Sequence, residues 1–418
     1  MNHVRSLMRP AGRRAAAVLL AAAALYAVPY STLRLPGVFD GPLDSPGVLQ
    51  LLAVCLLFAG LALSYDLLFG HTGIMSFGHG LFVTGGMYVT TILVNHAGYG
   101  LVPAALAGLG VGLAAALVLG SVALRVDGIG FAMVTLAFGQ AVSLLVVSGS
   151  PALTGGEQGQ TLNAGAVPAA LSGVRNTANL YWLALGYLAV CAAVLWWLTT
   201  SVPGRVMRAV KENERRVEVL GLNPYLFKLL AFVVAGLLAT GGGVVYLLLL
   251  GGATPVVAGS DFTLGLLVMV VLGGAGRRWG VVAGAVLYAY ADQSLTRLSG
   301  SASVAALPGA LRGPLQQPLF LLGVCFVAVV FFLPGGLATL PARLRASKTR
   351  VGHGVRTRNG RRAQRAGSRH SGLSADASAT QPRSPIRRSA PQAGPNVLPG
   401  HNAASSTGAA EEGVTPHG

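Results

Sequence analysis

Residues 204–223 read GRVMRAVKENERRVEVLGLN, and half of them are Arg, Lys, Glu or Asn. Apolar runs over 179–199 and 227–250 flank this charged stretch. Within it Val206, Val210, Val217 and Leu220 recur at spacings of four, seven and three, with Met207 beside them, which marks one apolar stripe on a helix. Arg208, Lys211, Glu212, Arg215 and Glu218 fall on the opposite face. Glu212 precedes Arg216 by four residues and Arg215 precedes Glu218 by three, spacings that favour ion pairs. Gly221 and Asn223 then supply a stop. The pattern predicts an amphipathic helix over 206–220, tied at both ends to membrane spans. A helix resting on lipid headgroups is the plain alternative. The three glutamates Glu212, Glu214 and Glu218 favour a mixed-charge docking surface for another protein.

The rest of the chain explains why such a segment stands out. Of 418 residues 53% are hydrophobic and only 10% charged, with mean hydropathy +0.63. Soluble domains carry about 25% charged residues. Many apolar stretches of near-membrane length account for the shortfall, so the fold class is all-α and polytopic. Candidate spans are 15–33, 47–69, 73–94, 101–124, 128–148, 179–199, 227–250, 262–276, 279–293 and 316–334, about ten transmembrane helices. The spans 262–276 and 279–293 fall short of the ~20 residues that a full crossing needs.

Charge orients them. Arg5, Arg9, Arg13 and Arg14 place the N-terminal segment 1–14 in the cytoplasm. Ten crossings return the C-terminus to that side, and put Arg125, the 204–223 stretch and Arg277/Arg278 there as well. The weakly charged stretch 149–178 falls outside. The first span, with its Arg-rich start and AAAVLLAAAALYA core, also reads as a secretory signal; an uncleaved helix is the preferred expectation. The transmembrane domain is therefore 15–340. Residues 341–418 turn Arg-, Ser-, Gly- and Pro-rich, with thirteen Arg or Lys against three Asp or Glu, and are expected to form a disordered basic tail. The net charge of +17 sits in the two flanks, as topology signals and lipid contacts do, and no aromatics interleave with the tail's charges. That excludes a nucleic-acid partner. Cys55, Cys191 and Cys325 lie in apolar runs with no metal or disulfide spacing.

Two apolar runs are interrupted by glycines in comparable places of the two halves: 70–80, with Gly73, Gly78 and Gly80, and 273–284, with Gly273, Gly274 and Gly276. Paired broken helices of this kind predict an inverted repeat with a pathway at its interface. His79 is the one histidine in the middle of a span. It either gates or relays protons, or hydrogen-bonds a backbone carbonyl, and the structural role is favoured. Ser76, Thr135 and Gln140 line a route or satisfy interhelical hydrogen bonds. Asp66, Asp127 and Asp261 fall near span ends and are expected to be solvated caps or anchors. The Thr154–Gly155–Gly156 turn either offers backbone N–H groups to a ligand or delivering protein, or is an ordinary tight turn.

GRVMRAVKENERRVEVLGLNPYLFKLLAF resembles the cytoplasmic coupling loop of ABC importer permeases of the branched-chain amino acid class, with Glu218 and Gly221 in the places of that loop's Glu and Gly. GHTGIMSFGHGLFVTGGMY (70–88), GIGFAMVTLAFGQ (128–140), TGGEQG (154–159) and VVLGGAGRRWG (270–280) match further family segments, in family order. Arg277 and Arg278 stand where that family has small or apolar residues, and Val281 where it often has Pro. The resemblance implies a permease subunit of an ATP-driven importer for branched-chain amino acids or related small polar solutes, in a bacterial inner membrane. It implies two ABC ATPase subunits, a second related permease and an extracytoplasmic solute-binding protein as partners. Arg208, Glu212, Glu214, Val217, Glu218 and Gly221 are then the candidate coupling surface. Gly73, Ser76, Gly78, His79, Gln140, Gly273, Gly274 and Gly276 mark the candidate pathway, and Thr154, Gly155 and Gly156 the outward loop. No G-x-x-x-x-G-K-[ST] occurs, so ATP hydrolysis falls to partner subunits, and no cofactor or metal is expected on this chain. A secondary transporter or channel would need ionisable groups deep in the membrane, and an integral-membrane enzyme would need clustered nucleophiles or ligands. The sequence offers the first only His79 and the second nothing.

Overall fold

The computed structural model describes residue 23 and residues 25–34, 41–171, 176–299, 317–332 and 335–339. The N-terminal segment 1–14, residues 15–22 and 24 of the span 15–33 with its signal-peptide alternative, and the tail 341–418 lie outside the described residues.

The architecture is all-α. The longer helices, in chain order, are α1 (Pro46–Asp66), α2 (His79–Asn95), α3 (Leu101–Ala123), α4 (Ile129–Ser148), α6 (Thr177–Thr200), α9 (Pro224–Leu250), α10 (Ser260–Gly273), α11 (Arg278–Ser299) and α12 (Pro318–Phe332). Shorter helices are α5 (Pro151–Thr154), α7 (Val202–Glu212) and α8 (Glu214–Val219). Each expected span from the second to the tenth coincides with one of the longer helices. Among the described residues, five helices are long and apolar enough to cross a membrane: α1 with its continuation to Thr72, α3, α4, α6 and α9. The chain is a multi-pass membrane protein.

Helix α1 is the central rod, buried along most of its length and packed by α6, α9, α10 and α11. Its start follows local chemistry, with Pro46 in the first turn, where a missing N–H costs nothing. Helix α3 buries Ala104, Gly108, Gly112, Ala116 and Gly120, a small residue every fourth position. That stripe lets backbones approach closely, the main source of packing energy between helices in lipid. A Cβ on Gly112 would strike Thr240 of α9, and one on Gly86 of α2 would strike the Thr240 carbonyl. Tyr187 of α6 fills the space left by Gly60 and Gly242 and donates its hydroxyl to the Leu238 carbonyl at 2.9 Å.

The two ends of the bundle differ. At one end a two-residue antiparallel pair, β1 (Gln160–Thr161) with β2 (Gly252–Ala253), ties the 149–171 segment to the exit of α9. At the other end lie α7, α8, the 124–128 connection, the C-terminal end of α1 and the α10–α11 turn. Arg125, 204–223 and Arg277/Arg278 thus lie at one end of the bundle, and 149–171 at the other.

Candidate functional site

The charged stretch folds as two helices, not one. Asn213 adopts an extended conformation (φ −163°, ψ 104°), ends α7, and caps α8 by accepting the Arg216 N–H at 3.1 Å. Asparagine competes well for such a cap, and the helical periodicity of the flanking valines conceals it. The break takes Glu212 and Arg216 off a common helix, so the expected pair is replaced. Glu214 turns inward and meets Lys228 Nζ at 2.7 Å, and Lys228 also donates to Asp127 at 3.2 Å. The Lys228 side chain is only 12% exposed whereas Asp127 is 81% exposed, so Asp127 is the expected solvated anchor.

Gly204, Met207, Val210 and Val217 form the buried face of α7–α8. Burying each of the three apolar side chains is worth ~1.5–3 kcal/mol, which holds the unit on the bundle. Leu220, expected on that stripe, is 77% exposed, because α8 ends at Val219 and the chain turns at Gly221 (φ +79°). Val219 is 87% exposed beside it. Glu212, Arg215, Arg216 and Glu218 face solvent. Arg208 folds back on the preceding helix, donating to the Thr199 carbonyl at 2.5 Å. The helix therefore presents an outer face of mixed charge with an apolar tip.

The first glycine-rich run is a true break. After Asp66 the helix widens to a π-helical turn over Leu67–Thr72, and Gly73 (φ +76°) ends it, its N–H returning to the Leu68 carbonyl. Such turns recur at functional sites. Residues 74–78 are irregular, and α2 restarts at His79 rather than at 73. The irregular backbone is held by side chains of other helices. Thr135 of α4 accepts the Phe77 N–H at 3.1 Å, and Thr263 of α10 accepts the Gly80 N–H at 2.9 Å. Gly78 lies against the Thr135 carbonyl and Gly139, leaving no room for a side chain. Ser76 is buried, with no hydrogen-bond partner among the described residues. His79 is fully buried, and its partner is a side chain rather than the expected carbonyl: Nε2 lies 2.9 Å from Ser64 Oγ, which donates to the Leu61 carbonyl at 2.7 Å. Gln140 is exposed and donates to Ser260 at 2.9 Å, an interhelical hydrogen bond.

The second run forms a tight turn. Gly274 (φ +98°) and Gly276 (φ +79°) reverse the chain between α10 and α11, and Gly273 packs against Gly280 too closely for a Cβ. Helix α11 is longer than expected, because polar residues of its last turns, Asp292 to Arg297, continue the helix beyond the apolar core.

Asp66 departs most from expectation. It is fully buried, not solvated. Its Oδ1 accepts the Gly276 N–H at 2.7 Å, and its Oδ2 lies 3.6 Å from His71 Nδ1. Lys211 of α7 donates to the Gly70 carbonyl at 2.7 Å. Sequence reasoning missed both roles; the one available signal was a carboxylate just ahead of a glycine-broken run. A cavity of about 500 Å³ opens beside these groups, between Gly73–Met75, the 124–129 connection, Lys211, Glu214 and Lys228.

At the opposite end Gly155 (φ +75°), Gly156 (φ +59°) and Gly159 (φ +73°) make the turn after Thr154, whose hydroxyl donates to the Ser150 carbonyl at 3.2 Å. Gly155 packs on the Gly159 backbone without room for a Cβ. The turn is built by left-handed glycines and closed by the β1–β2 pair.

The family model for "Branched-chain amino acid transport system / permease component" matches residues 47–330, most of the chain. The chain belongs to this family. The permease is 29% identical over 272 residues to the high-affinity branched-chain amino acid transport system permease protein LivM of Salmonella typhimurium. That match covers 58% of this chain and 62% of the relative's length. It is 25% identical to the probable branched-chain amino acid transport permease protein LivM of Methanocaldococcus jannaschii, over 69% of this chain and 93% of that one. A match to the ribose import permease protein RbsC of Haemophilus influenzae, 25% identical, covers 40% of the permease and 51% of the relative. Members of this family are transport subunits.

Proposed function

We propose that the permease is the membrane subunit of an ATP-driven ABC importer that moves branched-chain amino acids, or related small polar solutes, into the cell. The observation that carries this reading is the α7–α8 unit. It is fixed to the bundle by Met207, Val210 and Val217 while Glu212, Glu218, Val219 and Leu220 point away from it. An exposed apolar tip ringed by charge suits a protein partner better than bulk water. In this reading Arg208, Glu212, Glu214, Val217, Glu218 and Gly221 form or shape the surface that meets two ATPase subunits. The α7–α8 end faces the cytoplasm of a bacterial inner membrane, and the N- and C-termini lie on the same side.

Gly73, Ser76, Gly78, His79, Gln140, Gly273, Gly274 and Gly276 mark the moving parts of the route. The Thr154–Gly156 turn meets an extracytoplasmic solute-binding protein, and a second related permease completes the pore. ATP-driven closure of the ATPase pair would push on α7–α8 and switch access by rigid-body movement of the flanking helices. The names of the relatives support a branched-chain amino acid cargo, and the ribose relative keeps sugars as the comparison arm.

The test is reconstitution of the permease with ABC ATPase subunits, a companion permease and a solute-binding protein from the same organism. ATP-dependent uptake of labelled leucine, isoleucine or valine would support the reading. Uptake that needs no ATPase would overturn it in favour of a stand-alone transporter, and ribose-only uptake would overturn the cargo.

A further inference from the structure

We propose that Lys211 and Asp66 are positioning residues that link α7 to both helix breaks, so that one movement of the coupling unit shifts both. This deepens the importer reading and rests on it. The link is short and continuous. Lys211 Nζ donates to the carbonyl of Gly70, in the π-helical turn that precedes the first break, at 2.7 Å. Its aliphatic stem lies over Gly73, the residue that ends that turn; a Cβ there would stand 3.0 Å from Lys211 Cγ. Gly70 in turn stacks on the second break, where a Cβ would fall 2.5 Å from the Gly276 nitrogen and against Asp66 Oδ1. Asp66 completes the connection by accepting the Gly276 N–H at 2.7 Å. One hydrogen bond joins α7 to the first break, and one joins the root of the first break to the second.

Lys211 is exposed, so the shielded bond of the two is the one made by Asp66. Asp66 is fully buried, so its bond to Gly276 has no water to replace it. His71 faces its other oxygen, and Lys211 and Arg278 supply nearby positive charge. Residues 74–78 and 274–277 belong to neither flanking helix, so they yield before the helices do. A displacement of α7 thus draws on the Gly70 carbonyl, turns the 67–72 segment, and carries the 274–276 turn with it through Asp66. This is coupling through a contiguous set of contacts.

The experiment uses the full permease assembled with its ATPase subunits, companion permease and binding protein, and reads solute moved per ATP hydrolysed. Lys211→Met keeps the stem over Gly73 and removes the donor. It is expected to retain ATP hydrolysis while the transport ratio falls about tenfold. Lys211→Arg, which still donates, should recover most of the ratio. Asp66→Asn keeps an acceptor for Gly276 and should retain the ratio within about twofold, whereas Asp66→Leu should lose it as Lys211→Met does. An unchanged ratio in Lys211→Met, with the wild type active, overturns the link and leaves the importer reading intact. Loss of the inserted, assembled protein in Lys211→Met makes Lys211 a folding residue and overturns the link equally. A wild-type complex that moves no solute with ATP overturns the importer reading, and the link with it.

Discussion

The carboxylate of Asp66 accepts a 2.7 Å hydrogen bond from the backbone N–H of Gly276, joining the C-terminal end of the first long helix to a turn 210 residues later. A buried carboxylate that meets a backbone donor is normally an expensive arrangement retained for a purpose. Here it adds a hydrogen bond where two glycine-interrupted segments already pack, Gly70 against Gly276.

Gly70→Ala tests how tight that gap is. Its Cβ would meet Asp66 Oδ1 and the Gly276 nitrogen, and neither is the loose end of a flexible chain. The variant is expected to lose roughly 1–3 kcal/mol, as overpacked sites do. Thermal unfolding in detergent reads the loss, and an unaltered midpoint would show that the two turns can separate freely.

Lys228 is the shared partner of Glu214 and Asp127, on α8 and on the connection between α3 and α4. Lys228→Met should destabilise the protein by roughly 1 kcal/mol, an amount reduced by the exposure of Asp127 and weakened further by salt. In a double-mutant cycle with Glu214→Gln, a coupling energy indistinguishable from zero would mean that the contact holds nothing in place.

Gly221 has open space around its missing Cβ, so its requirement is conformational: φ is +79°. Gly221→Ala should cost about 1–2 kcal/mol locally. Gly221→Pro also forfeits the N–H that donates to the Glu218 carbonyl at 2.9 Å. On the importer reading both leave the protein inserted, and the proline variant together with Glu218→Lys lowers solute moved per ATP. Normal uptake by Gly221→Pro would remove the coupling role from this turn.

His79 is bonded to Ser64 inside the bundle, with Tyr65 and Phe82 edge-on to its ring. His79→Gln can keep a donor toward Ser64 and is expected to transport within about twofold of wild type, with no change in pH dependence through the range where imidazole titrates. A shifted pH profile would instead make the imidazole a proton carrier.

The helices from α1 onward were legible because the apolar runs are long and a bilayer leaves the backbone few alternatives. The glycine runs were legible as places where a helix cannot continue, but not as what replaces it: the first opens the helix at Gly73, whereas the second is a reversing turn at Gly274–Gly276. What the sequence hid depended on tertiary partners. Asn213 could cap either a turn or nothing, and the valines around it keep helical spacing across the break. Asp66 reads like any carboxylate near a span end until the Gly276 amide arrives from far along the chain. Leu220 fits the stripe by spacing alone, but the helix stops one residue before it. The inward turn of Glu214 required Lys228, which sits in an apolar run and reads as a simple boundary residue.

Helix α9 runs unbroken for 27 residues, from the Asn223 cap beside the α7–α8 unit to Gly251 beside β2. At 1.5 Å per residue it is a rod of about 40 Å. A rod pivoted near one end moves its far tip by about 0.7 Å for each degree of tilt, as simple geometry on that length requires. The β1 ladder would ride with that tip, so the Gly155–Gly159 rim and the base of the molecule would keep time with each other without any wire of side chains between them.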